Sequence, residues 1–154
     1  MQFLKISYVK YGLIMTASLL VCLGLMEVSG NNQTFENKSP IFFIYQFIMP
    51  AVIWWLAIAE RKRLQKGKLS YKQGLLEGFN TSVVFGLTSP FVFGAYYLLI
   101  NPEILDYVKA AYGMPEASTA MIVSLDLLAQ VFSAIVFGSL YGAIISLFLK
   151  SKKS

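Results

Sequence analysis

The 154-residue chain has no histidine, a single cysteine and few charged side chains. The absence of histidine excludes a histidine-based catalytic triad and a histidine-rich metal site, and one cysteine cannot form an internal disulfide. Charged residues make up 14% of the chain and hydrophobic residues 56%, whereas soluble domains contain about 25% and about 45–50%. The composition therefore excludes an ordinary soluble domain and a disordered tail, and it predicts a small membrane protein.

Four long apolar runs divide the chain. A helix that crosses the hydrocarbon core of a bilayer, about 30 Å thick, needs about 20 mostly apolar residues. Four such helices use roughly half of the chain, which leaves no room for a separate soluble domain. We expect spans at about 11–28, 41–59, 79–100 and 127–149 within a single transmembrane domain, residues 1–154. The predicted fold class is an all-α integral membrane four-helix bundle.

Local signals predict where some helices begin and bend. Ser70 and Gln73 form a capping-box pattern, which predicts that the third helix begins near Tyr71. Pro50 in the second span and Pro90 in the third each remove one backbone hydrogen bond. We therefore expect a kink in both helices.

A short helix is predicted between the third and fourth spans. Residues 101–103 have the cap–proline–acid order of a helix start, and Gly113 followed by Pro115 predicts the end. The apolar residues between them share one face, which is typical of an interfacial helix lying on the membrane surface. A plain connecting helix explains the pattern equally well. This face comprises Ile104, Leu105, Val108, Ala111 and Tyr112.

Basic residues are unequally distributed. If both termini and segment 60–78 lie on one side, that side holds eleven basic and two acidic residues, a net charge of +9. The other side holds two basic and six acidic residues, a net charge of −4. By the positive-inside rule, the N- and C-termini are cytoplasmic, which agrees with an even number of spans. Trp54 with Trp55, and Tyr96 with Tyr97, are expected to anchor the two membrane interfaces.

The densest positive charge lies between the second and third spans. A basic residue near an anionic leaflet contributes about 1 kcal/mol of attraction. We therefore expect this segment to contact anionic lipid headgroups at the cytoplasmic face; an acidic protein partner is the alternative. No nucleic-acid partner is expected, because the segment has no folded platform. We call these residues the basic loop: Arg61, Lys62, Arg63, Lys66, Lys68 and Lys72.

Small residues recur at every fourth position of the third and fourth spans. Such rows let two helix backbones approach closely, and Gly138 with Gly142 forms a GxxxG motif. We expect these two helices to pack tightly within the chain, and a contact between two copies is the alternative. The rows are Gly78, Ser82, Gly86, Pro90 and Gly94 in the third span, and Ala134, Gly138, Gly142 and Ser146 in the fourth.

Polar residues gather in the outer halves of the predicted spans. An ionisable group deep in a membrane is by default a functional candidate, because its desolvation is costly, but no acid here lies clearly at mid-depth. The polar residues either converge on an outward-facing pocket or form interhelical hydrogen bonds worth about 0.6 kcal/mol each. The candidate pocket residues are Gln46, Thr88, Ser89, Asp126 and Gln130.

Several short segments resemble a known family. Residues 10–14, Lys-Tyr-Gly-Leu-Ile, open the first span, and residues 67–74, Gly-Lys-Leu-Ser-Tyr-Lys-Gln-Gly, lead through Gly78 and Phe79 into the third. Residues 101–103 and the lysine-tailed, glycine-rich last helix complete the pattern. Over nearly its whole length the chain resembles small bacterial membrane proteins catalogued as domain of unknown function 4199. The resemblance implies four helices in a bacterial inner membrane and carries no activity to transfer.

Two functions are compatible with these features. The sequence has no metal-ligand spacing, no phosphate-cradling glycine loop after a strand and no Ser–His or Cys–His pair, so we expect neither an enzyme nor a cofactor. Very short loops and the small-residue rows favour a non-enzymatic accessory or structural subunit of a membrane protein assembly, bound to a membrane protein partner or to a second copy. The alternative is a small transporter or channel component whose path the candidate pocket residues line. An intramembrane enzyme ranks third.

Overall fold

Five α-helices form the chain in the computed structural model, which describes residues 6–30, 41 and 44–151; no β-strand occurs among these residues. Two π-helical turns extend the helices: Ile44–Ile48 leads into α2, and Tyr96–Ile100 continues α3. The all-α prediction is confirmed. The helices are α1 (Ser7–Val28), α2 (Met49–Leu64), α3 (Tyr71–Ala95), α4 (Ile104–Ala111) and α5 (Thr119–Leu149).

Three helices are long and apolar enough to cross a membrane: Ser7–Val28, Tyr71–Ile100 and Thr119–Leu149. The shortest has 22 residues, and a rise of about 1.5 Å per residue makes it long enough for the hydrocarbon core. The protein is therefore a membrane protein. The predicted second span, 41–59, corresponds to the helical residues 44–64 and to residue 41, and its residues 42–43 lie outside the described part. That this segment crosses the membrane as a fourth span stays a prediction.

The capping signals in the sequence act as predicted. The Ser70 hydroxyl accepts a hydrogen bond from the Gln73 backbone N–H at 3.2 Å, and the Gln73 side chain accepts one from the Ser70 N–H at 2.9 Å. Gly113, with a φ of +67°, follows the end of α4. Both the capping box and the short helix between the third and fourth spans are thus confirmed.

Helix α4 packs its apolar face on the bundle. Ile104, Leu105 and Val108 are buried, and the first two join a hydrophobic cluster with Tyr97 and Val123. The face predicted to lie on the membrane surface therefore contacts protein through these three residues. Helix α4 covers the bundle at the end where α5 begins, which we call the α4 end.

The opposite end, which we call the basic end, holds the basic loop. Lys10 of α1 forms an ion pair with Glu60 of α2. The last described residue, Ser151, is hydrogen-bonded to the segment between α2 and α3. Its N–H donates to the Leu69 carbonyl at 2.8 Å, and its hydroxyl donates to the Gly67 carbonyl at 2.7 Å. The start of α1, the loop and the end of α5 therefore share one end of the bundle. Of the predicted charge distribution, Lys5, Glu36, Lys38, Lys152 and Lys153 lie outside the described residues.

The contact between α3 and α5 is close because glycines from the two helices meet. A Cβ built on Gly78 would lie 2.5 Å from the Cα of Gly142, and one built on Gly142 would lie 2.9 Å from the Cα of Gly78. Gly138 packs against the Ser82 hydroxyl and lies so close to the Trp54 ring that a Cβ would be 2.8 Å from Cζ2. The two predicted small-residue rows thus face each other within one chain.

This contact loosens toward the α4 end. A Cβ on Gly86 would have its nearest neighbour, the Val131 carbonyl oxygen, at 3.4 Å and the Ala134 Cβ at 3.6 Å. A Cβ on Gly94 would meet only a Leu127 methyl group at 3.8 Å. Both distances are ordinary van der Waals contacts, so space between the helices increases in this direction.

The predicted interface anchors are wrong for three of the four aromatic residues. Trp54, Tyr96 and Tyr97 are at most 2% exposed, whereas Trp55 is 45% exposed. The Trp54 indole N–H donates to the Gly78 carbonyl at 3.1 Å and to the Ser82 hydroxyl at 3.2 Å. The glycine at position 78 leaves this carbonyl accessible between the helices, and the indole group is stabilised there instead of at the interface.

The two prolines also differ in their positions. Pro50 lies in the first turn of α2, directly after a π-helical turn. In the first turn of an α-helix the backbone N–H groups have no partner within that helix, so the N–H that proline lacks costs little there. Pro90 lies inside α3, as predicted. The neighbouring Thr88 hydroxyl donates to the Val84 carbonyl at 2.8 Å, whereas Ser89 makes no such bond.

We predict that Gly78→Ala lowers the free energy of unfolding by about 1–3 kcal/mol, because the new methyl group must displace the α5 backbone. Gly24→Ala is the matched control, since nothing lies within 4 Å of its Cβ and alanine favours a helix by up to about 1 kcal/mol. Detergent-solubilised protein unfolded by SDS titration and followed by circular dichroism gives both values. Equal effects of the two substitutions would contradict the close contact.

Candidate functional site

A cavity of about 680 Å³ lies in the bundle beside the contact between α3 and α5. Its walls come mainly from segment 44–50, α3 with its π-helical extension, α4 and α5, and Met15 of α1 and Trp54 of α2 also line it. The volume falls within the range of about 300–1,000 Å³ that is typical of ligand pockets. Four of the five candidate pocket residues line it: Gln46, Ser89, Asp126 and Gln130.

Thr88 does not line this cavity and is a correction to the predicted pocket. Its hydroxyl lies 2.5 Å from the hydroxyl of Thr16 on α1. Consecutive residues of a helix point about 100° apart, and here Thr88 points toward α1 while Ser89 lines the cavity. Thr88 forms the interhelical hydrogen bond that was the alternative interpretation for these polar residues.

One face of α5 supplies a whole wall of the cavity. The lining positions recur with helical spacing from Asp126 to Tyr141, over about 22 Å at 1.5 Å per residue. Polar side chains occupy the part near the α4 end, and Phe137, Gly138 and Tyr141 the part toward the basic end. The lining residues Gln46 and Phe137 are exposed, so the cavity opens to the side between segment 44–50 and α5.

Asp126 is a buried acid on the cavity wall, with 8% of its surface exposed. It accepts hydrogen bonds from the Tyr97 hydroxyl at 2.7 Å and the Tyr112 hydroxyl at 3.2 Å. Asp126 forms no ion pair with another described residue. A carboxylate has about four acceptor positions, so capacity remains on the side of the cavity.

Tyr112 keeps its proton at neutral pH and therefore acts as a donor to Asp126. Burial raises the pKa of the Tyr112 hydroxyl above its ordinary value, and the neighbouring Asp126 carboxylate adds to the increase. Tyr112 follows α4 in the chain, so the short helix places this donor over the acid.

Ser89 supplies an unpartnered polar group. Its side chain is 1% exposed, and its hydroxyl has no hydrogen-bond partner among the described residues. A buried hydroxyl without a partner costs about 1–3 kcal/mol. Because Ser89 lines the cavity, a bound molecule could satisfy this hydroxyl.

Aromatic rings make up much of the remaining wall, and this feature was not predicted. Ten of the 21 lining residues are aromatic, although aromatic residues form only 15% of the chain. Phe93 and Tyr97 lie with ring centroids 6.0 Å apart, and Trp54 contacts Phe85 edge to face at 6.4 Å. None of the described lining residues is basic. These rings come from every wall, and only the helix packing brings them together.

The basic loop divides into two groups. Arg61 and Arg63 lie 3.9 Å from the carboxylates of Glu77 and Glu60, respectively. The hydrogen bond from Lys10 holds the pKa of Glu60 below its usual value, so this acid stays ionised. The other four residues form no ion pair within residues 6–30, 41 and 44–151 and remain available to headgroups: Lys62, Lys66, Lys68 and Lys72.

Glu77 is a second buried acid and lies at the basic end. It is 3% exposed, and it accepts a hydrogen bond from the Ser7 hydroxyl while facing Arg61. It therefore links α1, α2 and α3 at the basic end. No group of three or more histidine, cysteine, aspartate or glutamate residues suited to a metal occurs in the part that was described.

Long apolar helices that pack through small residues around a partly polar cavity define an all-α integral membrane protein. Residues 10–151 match the model of a family described as protein of unknown function (DUF4199), and the chain belongs to this family. The predicted resemblance is thereby confirmed. Comparison with curated proteins and with solved structures gave no match.

We predict that Tyr97→Phe lowers the free energy of unfolding by about 1.5–3 kcal/mol, because buried Asp126 loses a donor to a charged group. Tyr107→Phe is the control: Tyr107 also lines the cavity, but its hydroxyl makes no hydrogen bond to a described residue. We expect the control to change stability by less than about 0.5 kcal/mol. SDS titration in mixed micelles measures both, and a larger loss for Tyr107→Phe would contradict the assigned bond.

Proposed function

We propose that the protein is a non-enzymatic membrane protein that binds a small molecule in this cavity and serves as a small transporter or channel component. The observation that carries this proposal is that buried Asp126 and the Ser89 hydroxyl, which has no hydrogen-bond partner among the described residues, line the same cavity. Polar groups within apolar helices need partners. A bound solute supplies the hydrogen-bond partner that the described residues do not provide for the Ser89 hydroxyl.

The structural alternative, interhelical hydrogen bonding, accounts for only part of the polar set. Thr88 bonds to Thr16, and Asp126 bonds to Tyr97 and Tyr112. Gln46, Ser89 and Gln130 line the cavity without a side-chain hydrogen bond to any other described residue. Their position supports a binding role over a packing role.

The shape of the cavity supports access from the side of the bundle, away from the basic end. The close Gly78–Gly142 contact fills the space between α3 and α5 toward the basic end, whereas the opening lies between segment 44–50 and α5. Passage across the membrane then requires a second arrangement in which these helices separate at the basic end. We place the basic end in the cytoplasm of a bacterial inner membrane, where its four unpaired lysines face anionic headgroups. The cavity is then outward-facing.

We predict solute movement through reconstituted vesicles that depends on the cavity. The probes are entrapped carboxyfluorescein, an anion, and ethidium, a cation, each compared with protein-free vesicles. Asp126→Asn combined with Gln130→Leu should reduce the protein-dependent flux of the carried probe at least tenfold, because both residues line the path. Ser124→Ala is the control, since this exposed hydroxyl bonds to the Ala120 carbonyl of its own helix.

Unchanged flux in the double variant would overturn the proposed pathway. Absence of protein-dependent flux for both probes would contradict transport. The solute-binding part of the proposal would then depend on the binding experiment described below.

A second candidate function is that of an accessory or structural subunit in a membrane protein assembly. The observation that favours it is the exposure of α5. Only 11% of its most apolar 18-residue stretch is buried, compared with 33% in Ser7–Val28 and 39% in Tyr71–Ile100. Phe132 and Phe148, at 75% and 74% exposed, lie on this surface. A membrane protein partner or a second copy could cover it.

We predict that the chain elutes from mild detergent in a complex larger than one protomer if this second function holds. Phe132→Ser with Phe148→Ser should release it, because both rings lie on the exposed surface of α5. Phe91→Ser, at an equally exposed position on α3 (79%), should not. Native mass spectrometry measures the composition, and a partnerless monomer for the unsubstituted chain would contradict the subunit function.

A further inference from the structure

The charge of the cavity limits the kind of molecule that it can bind. Among the described residues that line the cavity, Asp126 is the only carboxylic acid and none is a lysine or arginine. Its two hydrogen-bond partners are neutral phenols, Tyr97 and Tyr112. They stabilise the carboxylate without cancelling its charge. The electrostatic potential in the cavity is therefore negative, which disfavours an anionic ligand.

The aromatic walls favour a positive ligand for an independent reason. The face of an aromatic ring carries partial negative charge, and it attracts cations within about 6 Å of the ring centroid. Asp126 is flanked by Tyr97 and Tyr112, and Phe93 lies next to Tyr97. Trp54 and Phe85 line the same cavity farther toward the basic end. Aromatic cages are the arrangement that recognises quaternary ammonium groups, and here a carboxylate lies on the same cavity wall as the rings.

An inorganic cation fits these walls poorly. Small metal ions are strongly hydrated and need several oxygen ligands to replace their water. The described residues contain no group of three or more metal-binding side chains, and Asp126 is a lone carboxylate here. A cation that spreads its charge over a large apolar surface loses little hydration and fills more of the roughly 680 Å³.

We infer that the cavity binds hydrophobic organic cations, with Asp126 as the counter-ion, the aromatic walls as the apolar surface, and Ser89 as an acceptor for an N–H group of a protonated amine. This inference rests on the proposed solute-binding function and specifies its ligand class. The unpartnered Ser89 hydroxyl, 1% exposed on the cavity wall, is the second, independent sign of a ligand.

The test uses three probes of similar size that differ in charge: tetraphenylphosphonium, neutral triphenylphosphine oxide and the anion tetraphenylborate. Binding to the full chain in non-ionic detergent is measured by equilibrium dialysis, with empty micelles subtracted. We expect tetraphenylphosphonium to bind at least tenfold more tightly than triphenylphosphine oxide, and tetraphenylborate to show no specific binding. This comparison needs no variant, so it does not depend on the folding of a mutant.

Variants then locate the charge that is recognised. Asp126→Asn should weaken tetraphenylphosphonium binding at least tenfold while leaving triphenylphosphine oxide within threefold, and Asp126→Glu should restore most of the cation affinity. Glu27→Gln is the matched control, because Glu27 also lies at the α4 end but does not line the cavity. It should leave the binding of all three probes unchanged.

Each outcome separates the ligand class from the function. Equal binding of the cation and the neutral probe, or cation binding that Asp126→Asn does not change, would overturn the organic-cation inference while the solute-binding function stands. Failure of all three probes to bind would overturn the inference and count against the proposed function as well.

Discussion

The approach of two helix backbones at Gly78 and Gly142 is the constraint on which the rest of the bundle depends. In lipid, apolar side chains gain little by leaving one apolar surrounding for another, so helices associate through close packing and a few polar contacts. Because the glycine side chain is only a hydrogen atom, the backbones of α3 and α5 can approach closely at these two positions, toward the basic end. The same contact exposes the Gly78 carbonyl to the Trp54 indole, which fixes α2 against both helices. Toward the α4 end the contact between the two helices loosens, and the cavity lies beside it, along α5 from Asp126 to Tyr141.

The cavity brings together buried Asp126 and the unpartnered Ser89 hydroxyl. Asp126 is kept in an apolar surrounding by two phenol donors, one from α3's π-helical extension and one that follows α4. The short helix α4 therefore does more than connect two spans, because it positions Tyr112 over the acid. The basic loop lies at the opposite end of the bundle from this buried acid.

The pattern of apolar and small residues predicted the all-α fold, the short helix and the facing rows of small residues, because each depends on spacing within a helix. The capping box at Ser70 is equally local. The rotation of one helix relative to its neighbours is not local. It decides that Ser89 faces the cavity while Thr88 faces α1. It also decides that Trp54, Tyr96 and Tyr97 are buried, although aromatic residues near span ends commonly lie at the interface. The aromatic walls combine rings from distant segments, and no spacing rule connects them.

The docking of Ser151 onto the loop has a consequence for how the protein matures. Leu69 is 1% exposed, and its backbone N–H and carbonyl are both bonded to a residue 82 positions later in the chain. The turn between α2 and α3 therefore gains these hydrogen bonds only after residue 151 has been synthesised. Completion of the last helix thus locks the middle of the molecule.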